Sequence, residues 1–531
     1  MDTNWYYDKH TERKVFAMKP IKLFAVLLSL TLTLAACGAA QGGSTIPENS
    51  VAISLSDDGV TVDGVPAGSD ASAAVYTAND IIYYEAGRDF TYGEGTEADA
   101  HSAEDAAAHT VVHITQPGTY RVSGTLRRGQ IAVDLGEDAR NDPDAVVTLI
   151  LDGVDLTCEV APAVIFYRVY ECGSDDADSA SRNVDTSEAG ANVVIADGTV
   201  NTVTGSYVAR IYEPDSVELS EDGTEVEDAK KLHKYDGAFY SRMSLNISGG
   251  KDGSGILNIN AANEGLDSEL HLTINGGNIR ILSGNDGINT NEDGVSVTTV
   301  NGGNLTIRVT GETGEGDGID SNGWLVINGG TVTASACSTS ADAGIDSDMG
   351  IHINGGTVIA TGHMLDRIED GGQNYVVFSF AQEQSGADTL CFKNEAGEEM
   401  FNLAPQNDYS IMVYSSPEVT EGGYTLWSNG VQLSGANGAM IGGPGMQGAP
   451  GGVPDGQMPP EPPEGSTPPE GEAPEGFTPP DGGDRPERPD GENGGQQGGG
   501  NGRWPNGDDG GEVTSEFRIS DGGNQFSGIT R

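Results

Sequence analysis

The sequence predicts an all-β protein whose body is a right-handed parallel β-helix, a solenoid of stacked coils with a small C-terminal antiparallel β cap. Three observations predict it. A pair of glycines recurs, as in Leu272-Thr273-Ile274-Asn275-Gly276-Gly277 and Ile351-His352-Ile353-Asn354-Gly355-Gly356, and the residue before the pair falls at 248, 275, 301, 328 and 354. The steps are 27, 26, 27 and 26 residues, a beat that random glycine richness does not keep. Between the pairs lies a second motif, Gly265-Leu266-Asp267-Ser268, Gly287-Ile288-Asn289-Thr290, Gly318-Ile319-Asp320-Ser321 and Gly344-Ile345-Asp346-Ser347. The flanking segments, such as Asn278-Ile279-Arg280-Ile281-Leu282, alternate apolar and polar residues with the period of a strand. Short strands, Gly-rich bends and a fixed repeat describe one coil of three small sheets, which buries its apolar face only by stacking on the next.

The elements follow in order. Met18-Lys19-Pro20-Ile21-Lys22, the apolar run Leu23 to Leu34 and Leu34-Ala35-Ala36-Cys37-Gly38 have the parts of an export signal. The apolar run is short for a membrane span. Residues 1–36 are therefore expected to be a lipoprotein-type signal peptide, with Met18 as the true initiator. Cys37 is expected to be the lipidated residue, and the chain to be extracytoplasmic, held to the membrane or cell surface by the lipid alone. Residues 37–105 read as an irregular linker. The solenoid is expected over 106–370, with eight to ten coils between 110 and 362 and polar inserts near 171–190 and 212–230. Residues 371–436 read as the cap, with longer strands around Tyr375, Tyr409 and Tyr424. Residues 437–511, built of Pro, Gly, Glu and Asp, have almost nothing to bury and read as disordered. Strand character returns over 512–531, which is expected to pair back onto the cap.

Within the coils, Leu272, Ile274, Ile279, Ile281, Ile288, Ile319 and Ile345 should point inward. The Asn column 275, 301, 328 and 354 suits tight bends, because Asn tolerates left-handed backbone and stacked amides bond coil to coil.

Charge narrows the function. Against 27 basic residues stand 81 acidic ones, a net charge of −54. Removal of the five basic and three acidic residues of 1–36 leaves −56. Such a chain repels nucleic acid, anionic lipid and polyuronates unless metal ions intervene. Cys158, Cys172, Cys337 and Cys391 remain after Cys37. Only Cys158 and Cys172 lie near one another, and the bland reading is of buried small hydrophobes.

From Thr110 to about Trp427 the chain resembles a family of bacterial carbohydrate-binding lipoproteins with a right-handed parallel β-helix of pectate-lyase-like fold. Gly118-Thr119-Tyr120, Leu149-Ile150-Leu151-Asp152-Gly153-Val154, Asp342-Ala343-Gly344-Ile345-Asp346-Ser347-Asp348 and Ser415-Ser416-Pro417 carry the resemblance. It implies binding of cellulose and acidic, pectin-type polysaccharide, with calcium. Asn289 stands where the pattern has its second Asp.

Stacked equivalents lie about 4.8 Å apart. If the short motifs are equivalent, Asp267, Asn289, Asp320 and Asp346 form one column, with Asp286, Asp317 and Asp342 on the approach to it. Two carboxylates so close repel by roughly 1 kcal/mol in water and about 4 kcal/mol at an effective dielectric of 20. Calcium, which takes six to eight oxygens, would relieve this, and Asn263, Glu264, Asn285, Glu292, Asp293 and Asp348 are further donors. The competing reading is that these Asp side chains cap turns and face water. Trp324, with Arg280 and Arg308, is a candidate carbohydrate contact, but as the only aromatic residue between 241 and 374 it disfavours a stacking platform for neutral sugars and favours a calcium-bridged uronate chain.

Arg280 and Arg308, 28 residues apart, are expected to stand one coil apart as a carboxylate clamp. With Lys251 just upstream they are the bases available to a calcium-dependent lyase. A lyase, a hydrolase with paired carboxylates and a non-catalytic adhesin or wall spacer stay open beside the binding protein. The discriminating feature is whether a basic residue faces the acidic column.

Overall fold

The computed structural model describes residues 49–437 and 513–531. The signal peptide, Cys37 and all but the first residue of the 437–511 tract lie outside the described residues. The described chain is almost all strand; its helices are the five-residue Ala103–Ala107 and a single 3-10 turn.

Most strands join in three parallel ladders. The first runs Thr110–Ile114, Gly129–Asp134, Val164–Arg168, Gly237–Ser241, Glu264–Ser268, Ile288–Thr290 and Ile319–Ser321. The second passes through Val147–Thr157, Ala191–Ile195, Leu245–Gly249, Leu272–Ile274, Val297–Val300, Trp324–Ile327 and Gly350–Ile353. The third passes through Val200–Gly205, Ile256–Ala261, Asn278–Ser283, Asn304–Val309, Thr331–Ser335 and Thr357–Gly362. Consecutive partners Leu245, Leu272, Thr298, Leu325 and Ile351 are 27, 26, 27 and 26 residues apart, the beat of the glycine pairs.

Strand alternation fills the core between the ladders. In Asn278–Ser283, Ile279 and Ile281 are buried while Arg280 and Leu282 are exposed. The neighbouring strands repeat the pattern with Leu305 and Ile307. The glycine pair has a local cause. Gly330 takes φ +80°, and a Cβ there would lie 2.7 Å from the Gly303 carbonyl oxygen of the coil below. Only glycine meets both demands. Beside it the Asn column is bonded: Asn301, Asn328 and Asn354 each donate Nδ2–H to Oδ1 of the Asn one coil earlier, at 2.9, 2.9 and 2.8 Å.

The irregular linker expected over 37–105 is corrected in its described part. Val51–Leu55 pairs in parallel with Gly118–Leu126, and Val75–Ala78 pairs antiparallel with Thr110–Ile114. Ile53 and Leu55 are buried, because Val51, Ile53 and Leu55 alternate with polar or small residues. These strands cover edges that the first coil would otherwise leave open.

At the other end Thr357–Gly362 pairs antiparallel with Tyr409–Ser415, which pairs with Tyr375–Gln384. A separate apolar cluster around Phe378, Phe392, Tyr414 and Phe517 lies here. Gly523–Thr530 pairs in parallel with Tyr375–Gln384 and antiparallel with Ser434–Asn437.

The segment 206–236 leaves the ladders. It pairs with itself through Val208–Tyr235 and Tyr212–Lys231 and meets the N-terminal segment through Gly93–Ile211. The Tyr207 hydroxyl donates to Asp99. The segment rejoins the first ladder at Asp236, whose O accepts from Glu264 N at 3.2 Å, and Tyr207, Ala209 and Arg210 line a cleft with Asn263 and Glu264.

Candidate functional site

In the first ladder Leu266, Ile288 and Ile319 are register partners and point into the core. The residue after each therefore points outward, and Tyr240, Asp267, Asn289 and Asp320 form one column over four coils. Asp346 continues it, its amide donating to Ile319 O at 2.7 Å. Ser268, Thr290 and Ser321 turn back inward, and Thr290 and Ser321 share a 2.8 Å hydrogen bond.

The column divides into two acidic groups. In the first, Glu264 and Asp267 are buried. Glu264 Oε1 accepts from Asn289 Nδ2 at 3.2 Å, and Asp267 Oδ1 accepts from Asn291 Nδ2 at 2.5 Å. Glu264 Oε2, Asp267 Oδ2 and Asn289 Oδ1 remain buried with no hydrogen-bond partner. Buried acceptors are ordinarily satisfied, so three orphans in one place require a reason. Burial pushes both carboxyls well above the usual range; the charge of Asp267 adds to the shift of Glu264, and that of Asp236 to both. Gly237 permits this closeness, since a Cβ there would lie 2.6 Å from Asp267 Cβ.

In the second group, Asp317, Asp320 and Asp346 each offer a carboxylate oxygen, all within 4.8 Å of one another. Burial pushes Asp320 and Asp346 up to about 7 and Asp317 well above its ordinary value, with the neighbouring carboxylates adding to each. Asp317 Oδ1 already accepts from Ala343 N at 2.5 Å. Both groups present oxygen atoms only, the donor set of a hard divalent cation rather than of a soft metal.

The remaining expected ligands have partly structural employment. Asp286 Oδ1 accepts from Asp317 N at 2.7 Å, and burial lifts its carboxyl to about 7. Asp342 Oδ2 accepts from Gly316 N at 2.6 Å and from the Ser340 hydroxyl, holding a turn. The structure thus brings Asp317, Asp320 and Asp346 together and sets Asp267 with Asn289 in a separate group that includes Glu264. Glu264 precedes Gly265 as Asp286 and Asp317 precede Gly287 and Gly318, so its place before the glycine is the signal that marks it.

Arg280 and Arg308 stand on neighbouring paired strands, one repeat apart as expected, but two residues out of register. Asn278 pairs with Asn304, a step of 26, so Arg280 faces Thr306 while Arg308 faces Leu282. Arg308 Nε donates to Asn407 Oδ1 of the cap at 2.9 Å. Both stand in the third ladder and Trp324, half-buried, in the second; none of the three belongs to the acidic column. The four described cysteines are unpaired, Cys158, Cys337 and Cys391 buried and Cys172 half-buried.

A sequence model of a protein family described as carbohydrate-binding domain-containing protein matches residues 108–173 and 177–390. A curated relative of the same description from Acetivibrio thermocellus is 31% identical over 171 residues, 32% of this chain and 44% of the relative. The chain thus matches less than half of that relative's length. A solved polysaccharide lyase-like protein from C. thermocellum, a gadolinium derivative, is similar over 58% of this chain and 90% of its own, with 22% identity and a TM-score of 0.34.

Proposed function

The chain belongs to the family of carbohydrate-binding domain-containing proteins, and we propose that it binds an acidic polysaccharide through calcium ions held along its acidic column. The observation that carries this reading is the set of buried orphan oxygens on Glu264, Asp267 and Asn289. One oxygen of each of two buried carboxylates and the Asn289 amide oxygen, all on adjacent strands of the first ladder, have no donor, and a bound cation would answer such acceptors. Asp317, Asp320 and Asp346 offer a second position of the same chemistry. A calcium ion at the second, half-buried position would keep ligand places open for uronate carboxylates of a pectin-type chain, while cellulose is the neutral alternative.

The three parallel ladders, stepping one coil at a time, support reading the body as a right-handed parallel β-helix. The export-type N-terminus with Cys37 supports a lipid anchor and display outside the cell, and the net charge of −54 argues against nucleic acid as a partner. A lyase reading through Arg280 and Arg308 gains no support from their place in the third ladder.

Calorimetric titration of the mature chain with polygalacturonate tests this, in calcium and then in chelator, with absorbance at 235 nm followed in the same samples. Calcium-dependent binding without absorbance growth is the expected result. Growing absorbance would replace the binding protein with a lyase, and absence of binding in both conditions would leave an adhesin or spacer.

A further inference from the structure

At its upstream end the acidic column meets a cleft of different character. Between the 206–236 segment and the first ladder lies a space of about 290 Å³, lined among others by Arg140, His233, Lys234, Arg242, Glu269 and Glu292. In a chain with three acidic residues for every basic one, this gathering of cations is unusual. Two cations here are already paired, Arg140 with Asp175 at 2.6 Å and Lys231 with Glu94 at 2.6 Å. Lys234 and Arg242 make no ion pair with any described residue within 4.0 Å, although both line the cleft.

The imidazole supplies an independent sign. His233 is stacked on Tyr235, with ring centroids 4.3 Å apart and planes at 12°, so its ring is held in place. Both of its nitrogens are buried and neither has a hydrogen-bond partner. Buried acceptors and donors are ordinarily satisfied, so this fixed ring with one unused donor and one unused acceptor marks the cleft wall as a place where polar partners are missing. Tyr240 is unavailable, since its hydroxyl is bonded to Glu269. Leu232, exposed at the same cleft, offers apolar surface.

We propose that this cleft is a metal-independent subsite for one acidic sugar unit, whose oxyanion substituent is held by Lys234 and Arg242. The guanidinium gives a planar fork and the ammonium a point charge, a combination suited to a carboxylate or a sulfate ester. Glu269 and Glu292 take the ring hydroxyls, for which carboxylates are acceptors. The volume is at the lower bound for small-molecule sites, room for about one sugar ring. The inference rests on the glycan-binding reading and adds a position on the same chain that needs no calcium. Tyr240 and Asp267 are register partners on adjacent coils, so the subsite adjoins the first acidic group and one polysaccharide chain can engage both.

The test uses the mature full chain and its Lys234→Gln/Arg242→Gln variant. Each is titrated in chelator with trigalacturonate, with a sulfated trisaccharide and with cellotriose. The wild type is expected to bind at least one acidic trimer, and the variant to bind it more weakly by roughly tenfold or more, as loss of charge-assisted bonds predicts. The preferred trimer identifies the oxyanion. Equal affinity of the two proteins, equal binding of cellotriose, or no binding of any trimer in chelator overturns the subsite. A melting temperature matching the wild type shows that the variant is folded, and single Arg242→Lys restores charge without the fork if the double variant is not. Polygalacturonate in calcium, run in parallel, keeps the two readings apart: binding there with none in chelator removes only the subsite, whereas failure in both removes the glycan reading itself.

Discussion

Asp267 and Asn289 occupy the same strand position on consecutive coils, and each keeps one buried oxygen without a partner. Replacing Asp267 by Asn removes the buried charge while keeping the shape. In chelator the variant should be as stable as the wild type or more so, by about 1–3 kcal/mol, because a carboxyl that burial disfavours in its charged form is lost. In calcium the order should reverse. The wild type gains about 2.7 kcal/mol per site at a hundredfold excess over Kd, and the variant loses this site's share. Denaturant unfolding with and without calcium reads both; a wild type indifferent to calcium would remove the metal.

The pH dependence follows from the second group and the neighbouring Asp286. Asp286, Asp320 and Asp346 titrate near 7 in the folded protein, against about 3.9 when unfolded. The metal-free folded state therefore holds more protons than the unfolded state between these values. Its stabilising contribution is complete below about pH 4 and is lost as pH rises through 7. Calcium needs the deprotonated carboxylates, so its stabilising effect should be small at pH 5 and full at pH 8. Thermal melts at pH 5, 6, 7 and 8 with calcium or chelator check this, and a calcium shift independent of pH would contradict it.

Gly330→Ala should cost at least about 2 kcal/mol, combining unfavourable positive φ with a contact against the Gly303 carbonyl. Gly198 has φ +72° and open space around the added Cβ, so Gly198→Ala should cost only about 1 kcal/mol. Comparable losses in denaturant unfolding would mean that backbone approach between coils contributes nothing.

Asn301→Ala breaks one ladder bond on each side, to Asn275 and from Asn328. Both bonds are exposed, and their combined loss should be about 1–2 kcal/mol. Faster amide exchange confined to the bends at residues 301–303 and their stacked neighbours is the expected local signature.

The ladder of the central coils was legible because Gly330 and its equivalents are forced by sterics, and a forced residue repeats wherever the bend repeats. Ile279 and Ile281 were legible for the same reason, through alternation. Register within a coil was not: 28 residues between Arg280 and Arg308 suggested stacking, yet the step there is 26. The N-terminal strands were missed because Val51–Leu55 and Val75–Ala78 are short and follow no repeat. Lys234 and Arg242 were missed as a pair because their meeting depends on how the 206–236 segment folds back, which no periodicity encodes. Asp320 and Asp346 share one motif column and Asp317 lies on the approach to it, whereas Glu264 was named only as a further donor, since it differs from Asp in the same place.

The strand ends around the low-complexity tract carry a further consequence. Ala436 pairs with Val513 and Gly435 with Thr514, so the chain leaves and re-enters the cap at adjacent points. The two ends of the intervening sequence are thereby fixed side by side, and the entropy of closing a chain segment grows only logarithmically with its length. Doubling it costs about 0.6 kcal/mol. Insertions, deletions or a whole foreign domain placed there are therefore nearly invisible to the fold, and a proteolytic nick leaves the last strand clasped by Tyr375–Gln384 on one side and Ser434–Asn437 on the other.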